Sequence, residues 1–185
     1  MPALPLPRDL ADDLVALRPF VPQDATTVYE ACRDPEIRRF TSFPEAQDVS
    51  QTRAWIETQP GMRERGQALD LAIVPIGEPT PVGAVGLTAP AFGHRRAEIG
   101  YWIAPGARRR GLATAAVRLL SAWALGPPLS LVRLGLPTDV DNTASRRTAE
   151  RAGFEFEGVL RSYLYAKGRD WDVAMHSLIA GAERR

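Results

Sequence analysis

Between Glu98 and Trp123 the chain reads EIGYWIAPGARRRGLATAAVRLLSAW, and its most reactive-looking cluster lies at the centre, where Arg108, Arg109 and Arg110 precede Gly111, Leu112 and Ala113. The first amides of a helix have no intrahelical partner, and the aligned peptide dipoles add about half a positive charge at that end. Three cations, a glycine that lets backbone approach a ligand closely, and a small residue at the helix start therefore suit an anion. A diphosphate cradle and a solvated basic turn both fit this local pattern. Glu98 is the nearest acidic side chain upstream of the loop, and Asn142 and Ser145 open a later polar segment.

Those residues need elements to hold them. Glu98 to Ile103 is rich in aromatic and β-branched residues and reads as a strand, Pro105-Gly106 breaks it, and Leu112, Ala116, Leu119, Leu120 and Trp123 share one helical face. Gly126-Pro127-Pro128 ends that helix, and Leu129 to Leu136 alternates as a further strand. Strand, helix and strand in this order make a right-handed parallel crossover, so the two strand ends open beside the helix N-terminus. A cofactor fits in that gap.

Arg108-x-x-Gly111-x-Ala113 is similar to the acetyl-CoA signature of the GNAT N-acetyltransferase superfamily. The flanks EIGYWI and GLATAAVRLLSAWA, then Asn142-Thr-Ala-Ser145, Gly153-Phe154 and Gly158, resemble its RimJ/RimL-like branch, which includes ribosomal-protein N-terminal acetyltransferases. The resemblance runs from about Leu14 to Ile179 and is strongest in the second half. It implies an α/β (α+β) fold whose mixed, mostly antiparallel central sheet is splayed at the acetyl-CoA site and flanked by helices, with acetyl-CoA as co-substrate and no metal. It also implies cofactor contacts from Trp102, Ile103, Ala104, Arg108, Arg109, Arg110, Gly111, Leu112, Ala113, Thr114, Asn142 and Ser145, with oxyanion support from backbone N–H groups near Ile103.

Many members of that superfamily protonate the departing thiolate with a tyrosine seven residues beyond the asparagine, but here that position is Ala149. Ser145 becomes the candidate donor, with a helix-packing or capping role as its alternative. Glu98 is the candidate base, directly or through water, or else a cleft carboxylate with an arginine partner. The implied reaction moves an acetyl group to a primary amine, a protein N-terminal α-amine first. A small amine such as a polyamine, amino acid or antibiotic, and a non-catalytic acyl-CoA-binding regulatory module, are the alternatives. An α-amine with pKa near 7.8 is roughly 15% neutral at pH 7, whereas lysine near 10.4 costs roughly 3.5 kcal/mol more to deprotonate. A weak base therefore suits the α-amine.

Composition narrows the classes. The 185 residues carry 23 Lys+Arg against 22 Asp+Glu, a net charge of +1, so no overall field favours nucleic acid or a membrane. Cys32 is the sole cysteine, and His94 and His176 are the only histidines, one in a loop and one in a strand, which leaves no credible metal set. Neither G-x-x-x-x-G-K-[S/T] nor G-x-G-x-x-G occurs. No apolar run approaches membrane-spanning length, so a cytoplasmic protein is expected, as monomer or homodimer. Residues 1–10 read as an extended or frayed, proline-spaced lead-in to one domain over 11–182.

Along the rest of the chain the pattern predicts a strand at Leu14 to Arg18 and a helix capped by Asp24 that buries Ala25, Val28, Tyr29 and Cys32 and stops at Asp34-Pro35. Glu36 to Pro44 reads as connection, with Arg38, Phe40, Thr41 and Phe43 near the substrate cleft. A second helix from Asp48 or Ser50 turns Trp55 and Ile56 inward and ends before Pro60. In the resemblance these two helices wall the acceptor site. Ala68 to Ile76 and Val82 to Thr88 form an antiparallel pair, with Gly83 and Gly86 marking a bulge or a close backbone neighbour. Asn142 to Ala152 is a helix closed by Gly153, and Val159 to Tyr165 pairs with Trp171 to Leu178 as a hairpin.

Overall fold

The computed structural model describes residues 2–41 and 48–181. Alternating apolar positions build β1 (Leu10–Ala11), β2 (Val15–Pro19), β3 (Leu69–Pro75), β4 (Gly83–Ala91), β5 (Arg96–Ile103), β6 (Arg133–Asp139), β7 (Glu155–Ala166) and β8 (Arg169–Ile179). The helices are α1 (Ala25–Cys32), α2 (Pro35–Phe40), α3 (Val49–Glu64), α4 (Leu112–Leu125) and α5 (Thr143–Ala152). The strands form one sheet in the order β1-β2-β3-β4-β5-β6-β8-β7. Every pairing is antiparallel except that of β5 with β6, the two strands joined through α4. The mixed, mostly antiparallel α/β sheet expected from the sequence is the one observed.

The period of two sorts side chains onto two cores. Leu71 and Ile73 of β3, Val85 and Leu87 of β4, and Ile99 and Ile103 of β5 pack with Leu112, Ala116 and Leu120 of α4. On the opposite face Ala72, Ala84 and Trp102 pack with Val28 of α1, Ile37 of α2 and Ile56 of α3. Leu119 and Trp123, read as inward, are only half-buried.

Several local readings are corrected. The lead-in is anchored: Leu4 is 1% exposed, its N–H donates to the Arg63 carbonyl at 3.0 Å, and Arg63 Nη1 donates back to the Leu4 carbonyl at 2.8 Å. Leu10 and Ala11 add an edge strand. Asp24 does not cap α1; its carboxylate takes both guanidinium nitrogens of Arg18, at 2.7 and 2.9 Å, and the Val21 N–H. Asp34-Pro35 ends one helix and starts another, because Asp34 accepts the Ile37 N–H at 3.0 Å and a proline in the first turn lacks only an N–H that would be unpaired there. The expected connection is thus partly α2, and Phe43 lies outside the described residues.

α3 begins with Asp48 accepting the Gln51 N–H and runs through Pro60 to Glu64. The proline leaves the Ile56 carbonyl without its donor, and the helix continues with the Ile56 side chain buried beneath it. The sixth strand starts at Arg133 instead of Leu129. Gly83 and Gly86 mark close approach: a Cβ would lie 2.4 Å from the Trp102 carbonyl at Gly83 and 2.4 Å from Asp70 Oδ1 at Gly86. The bulge comes later, between Thr88 and Ala91.

Leu4 ties the lead-in to α3, so Leu4→Ala should cost about 2–5 kcal/mol of stability by urea unfolding, as a core truncation does. A loss under 0.5 kcal/mol would show the anchor to be idle.

Candidate active site

β5 and β6 are paired only at Arg96↔Arg133, Ala97↔Leu134 and Glu98↔Gly135. Beyond that point β5 continues against β4, and β6 continues against β8. The Ala104 N–H bonds the Val82 carbonyl at 2.8 Å, so strand alternation turns the backbone groups of Ile103, Tyr101 and Ile99 the other way, into the fork. By the same alternation Trp102 and Ala104 direct theirs to β4. Of the three consecutive residues expected to hold cofactor there, Ile103 alone offers its backbone to the gap. The Trp102 side chain is buried in the α1–α3 core.

At the open end of the fork stands the start of α4. Its N-cap is Gly111 in the left-handed conformation, φ 83°, with no side-chain cap, and the first helical bond runs from the Ala115 N–H to the Gly111 carbonyl. The amides of Leu112, Ala113 and Thr114 precede that bond, and no carboxylate or hydroxyl sits over them among the described residues. This is the donor set a diphosphate requires.

The three arginines divide their work. Arg108 Nη2 donates to Asp34 Oδ1 at 2.5 Å, Nη1 to Glu36 Oε2 at 2.7 Å, and Nε to the Ile103 carbonyl at 3.3 Å. It braces α2 against the loop instead of presenting a free charge. Burial works against ionisation of Asp34, but the Arg108 guanidinium and the Ile37 amide outweigh it and hold the carboxyl below its ordinary value. Arg110 pairs with Glu78 at 2.7 Å. Arg109 is exposed, with no ion pair among the described residues.

Across the fork, Asn142 caps α5 by accepting the Ser145 N–H at 3.0 Å, which sets Ser145 in the first turn. Tyr101 Oη donates to Ser145 Oγ at 2.9 Å and so bridges β5 to α5. Burial raises the Tyr101 phenol, while its bonds to Ser145 and Thr148 act in the opposite direction. Tyr101 was missed from sequence, although its alternation with Ile99 and Ile103 places it on the α4 face of β5.

Glu98 lies where the strands part, on the face opposite α4. Its partner is a tyrosine and not an arginine: Tyr163 Oη, from β7, donates to Glu98 Oε1 at 2.6 Å. That bond, then burial, pushes the Tyr163 phenol up to about 12, so it remains a donor throughout the neutral range. The two line a cavity of about 390 Å³ with Arg133, Gly135, Glu157 and Gly158. β7 breaks register against β8 between Phe156 and Gly158, whose φ of 145° needs glycine, and the break lies at the cavity wall. Arg133 grips both oxygens of Glu157 and, with Ser177 donating at 2.6 Å, holds that carboxyl down to about 2. Tyr163, Arg133 and Glu157 carry no sequence signal for this meeting, since β7 returns to the site from far along the chain.

The cysteine and the two histidines lie elsewhere. Burial raises the Cys32 thiol to about 12 and lowers His176, which is sealed in the sheet. His94 is exposed in its loop. Among the described residues no helix is long and apolar enough to cross a membrane.

Residues 15–155 match the acetyltransferase (GNAT) domain. The chain belongs to the GNAT acetyltransferase family. Among curated relatives, an uncharacterized N-acetyltransferase of Bacillus subtilis, YoaA, is 30% identical over 174 residues, covering 94% of this chain and 98% of the relative. RimJ of Mycobacterium smegmatis, solved in complex with CoA-disulfide, superposes with a TM-score of 0.77 at 25% identity, over 90% of this chain and 82% of that one. RimL, the ribosomal L7/L12 alpha-N-protein acetyltransferase, solved with coenzyme A, shares the fold at a TM-score of 0.80 and 21% identity, over 93% and 97%. This GNAT protein is an N-acetyltransferase that uses acetyl-CoA as its co-substrate.

The Glu157 carboxyl lies below its ordinary value of 4.5 in the fold. The stability that the pair contributes is therefore present above that pH and is lost as pH falls toward about 2. In Arg133→Ala, NMR titration should find the Glu157 carboxyl back near its ordinary value, and the acid-side loss of stability should shrink accordingly.

Proposed function

We propose that this GNAT enzyme acetylates primary amines, the α-amine of a protein N-terminus in particular, by direct attack of the amine on the thioester. The observation that carries the reading is the fork itself: uncapped α4 amides at its open end, backbone donors of Tyr101 and Ile103 along its wall, and the Tyr101–Ser145 pair across it. The likeness to RimJ and RimL supports the choice of acceptor, and a cytoplasmic location is part of the same proposal.

In this reading Leu112, Ala113 and Thr114 hold the diphosphate through their N–H groups, with Arg109 adding charge. Backbone N–H groups facing the fork at Tyr101 and Ile103 receive the oxygen that becomes negative as the amine adds. Ser145 accepts its hydrogen bond from Tyr101, so its own hydrogen is free to donate to the departing sulfur. A thiol with an ordinary pKa of about 8.5 is a tolerable leaving group, and a hydrogen bond suffices to assist it. Glu98, with one oxygen taken by Tyr163 and the other open to the cavity, attracts the acceptor's ammonium to this face.

Thiol release from acetyl-CoA, measured against a panel of acceptors, tests the reading. Peptides with free N-termini should drive release; N-blocked peptides bearing lysine should not, because the extra deprotonation costs roughly 3.5 kcal/mol. Release with polyamines, amino acids or aminoglycosides alone would make it a small-amine enzyme, and binding without release would make it an acyl-CoA-binding module. Gly111→Glu puts bulk and negative charge at a left-handed N-cap and should weaken acetyl-CoA binding at least about tenfold by calorimetry. Ser145→Ala should lower kcat about tenfold or more while leaving acetyl-CoA affinity unchanged.

A further inference from the structure

On the face opposite α4, the central strands present three successive rows of side chains. The innermost, Ala72↔Ala84↔Trp102, is covered by α1 and α3. The outermost holds Thr88↔Glu98, with Glu98 paired to Gly135 in the cavity described above. Between them lies Asp70↔Gly86↔Gly100, where two of three positions lack a side chain. Asp70 uses that space. Its Oδ1 lies 2.4 Å from where a Gly86 Cβ would be, so the carboxylate leans over β4 toward β5. At Gly100 an added Cβ would meet nothing within 4 Å, and the residue is exposed. Neighbouring strands are about 4.8 Å apart, so a carboxylate poised over Gly86 stands about one strand spacing from the open floor above Gly100. Gly100 in turn lies between Tyr101 and Ile99, whose backbones face the fork.

Among the described residues nothing uses this carboxylate. It accepts no hydrogen bond and forms no ion pair among the described residues, and it keeps partial solvent access. Of the charged groups on the same face, Arg18 of β2 is committed to Asp24, Glu98 of β5 to Tyr163 and Arg133 of β6 to Glu157, while Arg96 of β5 is exposed two residues beyond Glu98, farther from Gly100. α3 turns Thr52, Trp55, Ile56 and Gln59 toward the sheet, none of them titratable, and α1 adds the phenol of Tyr29 and the uncharged thiol of Cys32. A buried carboxylate without a partner is costly to retain, and such groups cluster where proton transfer is required.

We propose that Asp70 is the general base of the acetyl transfer, taking the acceptor's ammonium proton across the bare floor of Gly86 and Gly100, directly or through one water. The proposal rests on the acetyltransferase reading but not on which amine is the acceptor. The ammonium gives one proton to the Asp70 carboxylate, which later passes it to solvent. The freed nitrogen lone pair forms the C–N bond, and the C–S bond breaks with its electron pair on sulfur. The second nitrogen proton replaces the one that Ser145 donates to the thiolate, so N-acetyl product, free thiol and one released proton balance the equation. Glu98 serves attraction and Asp70 serves deprotonation. Burial alone pushes Asp70 up to about 6, close to the operating pH, as efficient general bases require.

Asp70→Asn in the full-length protein, compared with wild type on the same acceptor, decides the matter. Wild-type log(kcat/KM) should rise with a slope near 1 below about pH 6, where Asp70 must be ionised before it can take the ammonium's proton, and should level off between that value and the α-amine pKa near 7.8. Asp70→Asn, which can use only amine already neutral in solution, should lose the break near pH 6 and rise with a slope near 1 up to about pH 7.8, with kcat at least about 100-fold lower, unchanged acetyl-CoA affinity, and partial recovery in Asp70→Glu. Above pH 6 the folded wild type holds an ionised carboxylate against burial, so the asparagine variant should also melt about 5 °C higher at pH 8. A variant with wild-type kcat and an intact acid limb overturns the proposal. So does a variant that melts lower or loses acetyl-CoA binding, which would make Asp70 structural. Wild type that binds acetyl-CoA but acetylates no acceptor sinks the transferase reading instead.

Discussion

Backbone hydrogen bonding is the constraint on which this architecture turns. A strand in the middle of a sheet must satisfy donors and acceptors on both sides, yet β5 has a strand partner on its β6 side only as far as Glu98. From Ile99 to Ile103 that side faces a gap. Such an edge is costly in a dry interior and cheap where a polar ligand or water can fill it, so the parting of the strands defines a binding channel before any side chain is considered. Gly111 extends the same logic to the helix, since a residue without a side-chain oxygen leaves the first amides of α4 directed outward.

The two banks of the channel are held by long-range contacts rather than by the strands themselves. Tyr101 to Ser145 links β5 to α5, and Tyr163 to Glu98 brings β7 over the point where the fork begins. Arg108, bonded to Asp34, Glu36 and the Ile103 carbonyl, joins the loop before α4 to α2. Apart from the local bond of Arg108 to Ile103, each joins segments distant in sequence, so a disturbance in the first third of the chain reaches the cofactor loop through Arg108.

What could be read from the letters follows from how local the cause is. The strand-loop-helix at Glu98 to Trp123, the helix from Asn142 with its Gly153 stop, and the hairpin of Val159 to Tyr165 with Trp171 to Leu178 rest on nearby residues, and all were legible. α2 was missed because Pro35 reads as a breaker until Asp34 is recognised as its cap, and α3 outran its expected end because tertiary packing outweighs one proline. At the site, the residue types of the loop were visible but their commitments were not. Nothing near Arg108 announces Asp34 and Glu36, and nothing near Glu98 announces Tyr163. Asp70 passed as one polar residue in an apolar strand, because its setting is made by glycines on the two strands beside it.

The glycine at the head of α4 also limits how this protein can be strengthened. Helix N-termini are among the easiest places to gain stability, commonly by installing serine, aspartate or asparagine at the cap. At position 111 such a side chain would fold back over the very amides that the cofactor needs and would strain a left-handed backbone. A hardier variant would have to draw its tolerance from the rear of the sheet or from the anchored N-terminal segment, leaving this one helix end bare.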